Sequence, residues 1–192
     1  MKDLVLIGGG GHCRSCIDVI ECEGKFRIIG ILDNGLPCGT SVSGYDVAGN
    51  DSLIEGFVRK GACFIVALGQ IRTVEPRKRL FAFLKDSGAK IASAVSPSAY
   101  VSKYADIGEG TVIFHHALVN AGAKIGRNCI INSKALIEHD AVVADHCHVS
   151  TSATINGAAK IGEGSFIGSG AVVVNNADVG KASFIKSGEI VK

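Results

Sequence analysis

His139 stands between two carboxylates in Ile137-Glu138-His139-Asp140. An imidazole titrates near neutral pH, so His139 is suited to accept a proton while Glu138 or Asp140 holds its tautomer: a general base. A second constellation lies near the other end of the chain. Gly8-Gly9-Gly10-Gly11-His12 follows the apolar run Leu4-Val5-Leu6-Ile7, and Asp33-Asn34 follows the run Arg27 to Leu32. Strand, glycine turn and helix open a nucleotide-binding unit, and an acidic and amide pair at the carboxyl end of the next strand stands where ligands bind in open α/β sheets. The full G-x-G-x-x-G spacing is missing. That favours a single nucleotide, or the nucleotide of a sugar nucleotide, over a dinucleotide.

Other reactive side chains carry less. Cys13 and Cys16 form a C-x-x-C with no second pair at zinc-site spacing, and a helical face explains them. No metal is expected. Cys147, between His146 and His148, is a rival nucleophile, but the repeat described below turns it toward the interior. His115 and His116 read as a contact with a neighbouring chain or plain exposure, and His146 as an outward residue without a role.

Composition narrows the class. Among 192 residues, 25 are glycine and only three proline, with 47% hydrophobic residues, which excludes collagen and disorder and asks for many tight corners in a folded chain. A net charge of +2 leaves no footprint for nucleic acid or an acidic membrane surface, so the expected partner is a small molecule. The apolar run Leu4–Ile7 is too short for a signal peptide or a membrane span, and seven cysteines, an odd number, fit reduced thiols. A cytoplasmic protein without membrane insertion is expected, with Cys22, Cys63, Cys129 and Cys147 packed inside.

The second half repeats every six residues. From Val95 to Ile185 sixteen hexads each open on Val or Ile, and the fifth place is Ala, Ser, Thr or Cys in all but the last, which has Glu189. Glycines recur in second and fourth places, as in Ile107-Gly108-Glu109-Gly110. Helical periods of 3.5 or 3.6 are absent, so the pattern predicts short parallel strands wound round a triangular prism, three hexads to a coil. His139 is third in its hexad and points outward. Its neighbours one coil away, Ala121 and Gly157, leave space beside the ring. The first half predicts a helix from Cys13 to Glu23, a strand over Cys63 to Leu68 and a basic helix around Arg77, Lys78 and Arg79. The fold expected is therefore an α/β Rossmann-like domain, residues 1–92, followed by an all-β left-handed parallel β-helix, residues 93–192, rigidly packed through a junction near Pro97.

This order of domains, with Gly8 to His12, Asp33-Asn34, Asn132 to Asp140 and His146 to Ser150, resembles the hexapeptide-repeat bacterial sugar acetyltransferases. That family contains sialic acid O-acetyltransferases and UDP-4-amino-sugar N-acetyltransferases of cell-surface glycan synthesis. The resemblance implies acetyl-CoA as co-substrate and His139 as base, with Glu138 or Asp140 beside it. It further implies Gly10, Gly11 and His12 at the sugar nucleotide, Asp33 and Asn34 near uracil, and Asn132 near the acceptor sugar. His148 is implied near the thioester, with backbone N–H groups or His148 as oxyanion donors, and Gly157, Ser169 and Ser187 as further acetyl-CoA contacts. A homotrimer with each site between two chains is implied too. The activity so implied is N-acetylation of a UDP-4-amino sugar by direct transfer. The alternatives are O-acetylation of a sialic-acid-type sugar, a γ-class carbonic anhydrase-like zinc enzyme, whose histidine spacing is absent here, and a non-catalytic sugar-nucleotide-binding subunit.

Overall fold

A computed structural model describes all 192 residues. The first part is a six-stranded sheet. β1 (Lys2–Ile7) lies between β2 (Phe26–Leu32) and β5 (Cys63–Val66), all parallel. Outside them lie β4 (Tyr45–Gly49), next to β2, and β6 (Lys90–Ile91), next to β5; β3 (Ser41–Val42) pairs antiparallel with β4 at one edge. β1 reads as an unbroken apolar run because both faces are covered. Leu4 and Leu6 meet α1 (Gly11–Glu23), whereas Val5 and Ile7 meet α2 (Ile54–Arg59) and α3 (Glu75–Asp86). Successive connections leave β1 toward opposite sides, so the carboxyl ends of β1, β2 and β5 open a crevice of the kind that binds ligands.

Two boundaries differ from the sequence expectation. α1 begins at Gly11 rather than Cys13, directly after the glycine turn. β5 ends at Val66 rather than Leu68, because the carbonyls of Val66 and Leu68 both accept hydrogen bonds from the Arg77 guanidinium.

The second part is a parallel β-helix with three flat faces. The first face stacks Ala94–Val95, Val112–Ile113, Ile130–Ile131, His148–Val149, Phe166–Ile167 and Phe184–Ile185. The second stacks Tyr100–Val101, Leu118–Val119, Leu136–Ile137, Thr154–Ile155, Val172–Val173 and Ile190–Val191. The third holds Asp106–Ile107, Lys124–Ile125, Val142–Val143, Lys160–Ile161 and Asp178–Val179. Every Val or Ile that opens a hexad is the inward residue of its strand, and Val191 adds a seventeenth rung beyond the sixteen. These residues and the small fifth-place residues form one core, where each fully buried Val or Ile contributes roughly 1.5–3 kcal/mol.

The glycine preference has two separate causes. A Cβ at second-place Gly108 or Gly126 would come within 2.5 Å of the backbone of the next coil. Fourth places are left-handed instead: Gly110, Gly122 and Gly164 share that conformation with His116, Asn128, Lys134, Asp140 and His146.

The N-terminal domain seats on the first face. Val112, Phe114 and Ile130 join Cys13, Cys16, Ile17 and Ile20 in one core, and His115 Nε2 lies 2.7 Å from Asp18 on α1. His115 thus meets its own chain's N-terminal domain. His146, expected outward, is buried, because α3 covers that corner and the Phe81 ring meets its edge at 5.4 Å. Arg77, on the expected basic helix, is wholly buried and bridges the domains, donating to the backbone and side-chain oxygens of Asn128 at 3.1 and 2.8 Å. All seven cysteines are free, and burial raises the Cys13 and Cys16 thiols to about 12. Cys22, expected inside, is exposed on the outer side of α1, as is Cys38 in its loop.

Candidate active site

His139 sits at the corner between the second and third faces, the corner opposite the face that the N-terminal domain covers. The repeat dictates this: an outward third place follows each second-face strand. Its Nδ1 is 3.0 Å from Asp140 Oδ2. A carboxylate only accepts, so Nδ1 carries the hydrogen and Nε2 holds the free lone pair. The bond to Asp140, with the charges of Asp140 and Glu138, raises the histidine pKa above its usual value. Glu138 has a different task. Its Oε2 accepts from Asn120 Nδ2 at 2.9 Å and from the His139 backbone N–H at 3.1 Å, so it holds the turn rather than the ring.

Gly157 is what keeps Nε2 free. A Cβ there would lie 2.8 Å from Nε2 and 3.2 Å from Asn175 Nδ2. Asn175, one coil further, is a polar neighbour that the local motif did not point to, though an eighteen-residue step from Gly157 reaches it.

The nucleotide end is built on the crevice. Asp33 lines the crevice and braces the glycine turn: Oδ2 accepts from Gly9 N–H at 2.6 Å, and Oδ1 from Gly35 and Leu36 at 2.7 and 2.9 Å. Burial pushes its carboxyl up, and these three donors outweigh burial and hold it below the usual carboxylate range. Asn34 donates from Nδ2 to Asp51 Oδ2 at 2.6 Å on the wall of the same crevice. Gly10, Gly11 and His12 line a cavity of about 380 Å³ with Gly69 and Ile71. Nothing stands near Gly10 or Gly11, and both open the N-terminus of α1, where backbone N–H groups favour an anion.

His12 and His148 face each other across the domain seam, ring centres 6.5 Å apart. Burial lowers them to about 3 and about 4, so both are neutral. His148 Nδ1 donates to the Gln70 carbonyl at 2.6 Å, which leaves Nε2 as an acceptor, 3.3 Å from Asn132 Nδ2. An acceptor nitrogen cannot stabilise an oxyanion, and that expectation for His148 is corrected. Gln70, the residue that fixes this tautomer through its backbone, carries no sequence signal.

The expected residues do not meet in one chain. Asn132, Ser169 and Ser187 stand at the corner between the first and second faces, whereas His139 and Gly157 stand at the next corner round. Ser169 Oγ bonds Ser150 Oγ at 2.9 Å, and Ser187 is exposed. No three His, Cys, Asp or Glu side chains converge to hold a metal ion.

Residues 3–82 match the family model of the PglD N-terminal domain. A mutant of perosamine N-acetyltransferase from Caulobacter crescentus, solved with CoA and GDP-perosamine, is 28% identical with a TM-score of 0.93, covering 100% of this chain and 89% of that one. The acetyltransferase domain of PglB from Neisseria gonorrhoeae FA1090, in complex with acetyl coenzyme A, is 27% identical with a TM-score of 0.89, covering 99% and 92%. WeeI from Acinetobacter baumannii AYE, at 20% identity and a TM-score of 0.75, shares the fold. No curated protein matches by sequence. Residues 3–82 thus match a PglD N-terminal domain, and they are followed by a β-helix similar to that of the perosamine N-acetyltransferase and of the PglB acetyltransferase domain.

Proposed function

We propose that the chain transfers the acetyl group of acetyl-CoA to the amino group of a sugar carried on a nucleoside diphosphate, as a step in cell-surface glycan synthesis. The observation that carries this is the outward imidazole of His139, with Nδ1 tied to Asp140 and Nε2 open over Gly157. The neutral amine attacks the thioester carbonyl while Nε2 takes its proton. The tetrahedral intermediate then expels CoA thiolate, and the imidazolium returns the proton to sulfur. General-base help of this kind contributes about 10²- to 10⁴-fold. The Gly157 N–H makes no hydrogen bond within the chain, and it lies beside the imidazole, so it is the proposed oxyanion donor. Cys147, in the prism interior with its thiol on the Gly162 carbonyl, has no part.

The sugar nucleotide binds in the crevice with its diphosphate at Gly10 and Gly11 on the N-terminus of α1, and His12 beside the sugar. Ser169 and Ser187 contact CoA. Since His139 lies at the corner opposite its own N-terminal domain, the acceptor it serves is held by a neighbouring chain, which supports the homotrimer implied by the resemblance.

Free-thiol release from acetyl-CoA across nucleotide-linked 4-amino sugars and sialic-acid-type sugars tests this reading. Release with the amino sugars alone is expected. Release only with hydroxyl acceptors would make the chain an O-acetyltransferase, and no release with any of them would leave a binding subunit.

A further inference from the structure

Three groups converge on the space that Gly157 leaves empty. The point where a Cβ would stand lies 2.8 Å from His139 Nε2 and 3.2 Å from Asn175 Nδ2, with the Gly157 N–H attached beside it. His139 offers a lone pair there, and the other two groups offer hydrogens. A base and two donors within about 3 Å of one common point is what a tetrahedral intermediate requires, its attacking nitrogen toward the base and its oxyanion toward the donors. The backbone at this corner is arranged to the same end. The third-place N–H groups of Ala121 and His139 are closed, donating to Asn120 Oδ1 at 2.8 Å and Glu138 Oε2 at 3.1 Å. Asn156 stands in the same place two coils after Asn120, yet its amide donates to the Val173 carbonyl at 2.9 Å, and the Gly157 N–H stays open.

The fold gives no other reason for an asparagine at position 175. Asn176, beside it, takes the left-handed turn conformation that asparagine tolerates, whereas Asn175 does not, and its exposed side chain makes no hydrogen bond within the chain. The geometry points to Asn175 as a further catalytic residue: its side-chain amide is a second oxyanion donor beside the Gly157 N–H. As the amine nitrogen attacks the thioester carbon and His139 Nε2 takes its proton, the carbonyl π pair moves onto oxygen. That oxygen accepts from Gly157 N–H and from Asn175 Nδ2–H. The pair returns to carbon as the C–S bond breaks and CoA thiolate leaves. The proposal rests on the acetyl-transfer reading above and adds a residue to it.

Steady-state release of CoA thiol by the full-length Asn175→Ala variant tests it, with calorimetry of CoA and thermal melting alongside. A lost side-chain oxyanion donor lowers kcat by about 10²- to 10³-fold, and that fall is expected here. KM for acetyl-CoA and the affinity for CoA should stay within about twofold, because the contact is made only once the oxyanion forms. Asn175→Asp keeps the shape but sets a carboxylate against the oxyanion, so it should lose at least as much, and its kcat decides the matter if the alanine variant melts early. An unaltered kcat in both variants overturns the assignment and leaves acetyl transfer untouched. So does a raised KM with weakened CoA binding at full kcat, which would make Asn175 a clamp on the CoA arm. Wild-type protein that releases no CoA thiol with any acceptor overturns the acetyl-transfer reading and this assignment together.

Discussion

The imidazole of His139 is oriented by one carboxylate and given room by one missing side chain. Gly157 has no left-handed backbone requirement, so Gly157→Ala keeps the fold but pushes a methyl to within 2.8 Å of Nε2. A displacement of about 1 Å in a catalytic group can lower rates by about 10²-fold, so kcat should fall by roughly 10- to 100-fold with an unchanged unfolding midpoint. Steady-state kinetics beside thermal melting checks this, and unchanged kcat would remove His139 Nε2 from the reaction. Asp140 stabilises the imidazolium and holds the His139 pKa up. A base works when neutral, so activity rises as pH climbs through that raised pKa. Asp140→Asn lets the pKa fall, and the acid limb of the kcat/KM profile should move to lower pH while the plateau drops. An unmoved limb would mean that another group titrates. The triplet around His139 was legible because a repeat with fixed phase says which places face outward. The bracing role of Asp33 was not legible for the opposite reason: an acid after a strand looks the same whether it meets a ligand or three backbone N–H groups.

Among the elements, α3 carries the tie between the domains. Arg77 lies buried without a carboxylate partner, its charge held by the oxygens of Val66, Leu68 and Asn128, and burial lowers its pKa to about 10. Arg77→Met keeps the apolar stem and leaves those oxygens unpaired in the seam. Each buried unsatisfied group costs about 1–3 kcal/mol, so urea unfolding should show a loss of about 3 kcal/mol or more. A loss below about 0.5 kcal/mol would show that water replaces the guanidinium. The sequence pattern set Arg77 and Arg79 alike on a basic helix. Only the seat of α3 against the corner holding Asn128 and His146 separates them, one buried and the other lining the crevice. The hexads were legible strand by strand, since each buries a Val or Ile in register with the coil below. The junction of the domains was not, because Phe114 and Ile130 occupy ordinary outward places in the repeat until α1 covers them.

At the scale of the whole molecule, the three faces differ. The first is covered by the N-terminal domain, the second is uncharged from Tyr100 through Leu118, Leu136, Thr154 and Val172 to Ile190, and the third carries Asp106, Lys124, Val142, Lys160 and Asp178. His139 stands where the second and third faces meet, away from the nucleotide crevice of its own chain. In the proposed reaction the imidazole of one chain serves the sugar held by another, and mixed assemblies of two disabled chains test this. His139→Ala removes the base, and Gly11→Asp puts a charge where the diphosphate binds, at a place with no neighbouring atoms within 4 Å. Each variant alone should lose at least about 100-fold in acetyl-CoA turnover. Co-expressed in equal amounts, they should recover about a quarter of wild-type turnover per site, because random assortment in a closed ring pairs an intact His139 with an intact loop in about one site in four. Mixed assemblies that form but stay inactive would contradict the account, since a site contained in one chain cannot be rescued by its neighbour.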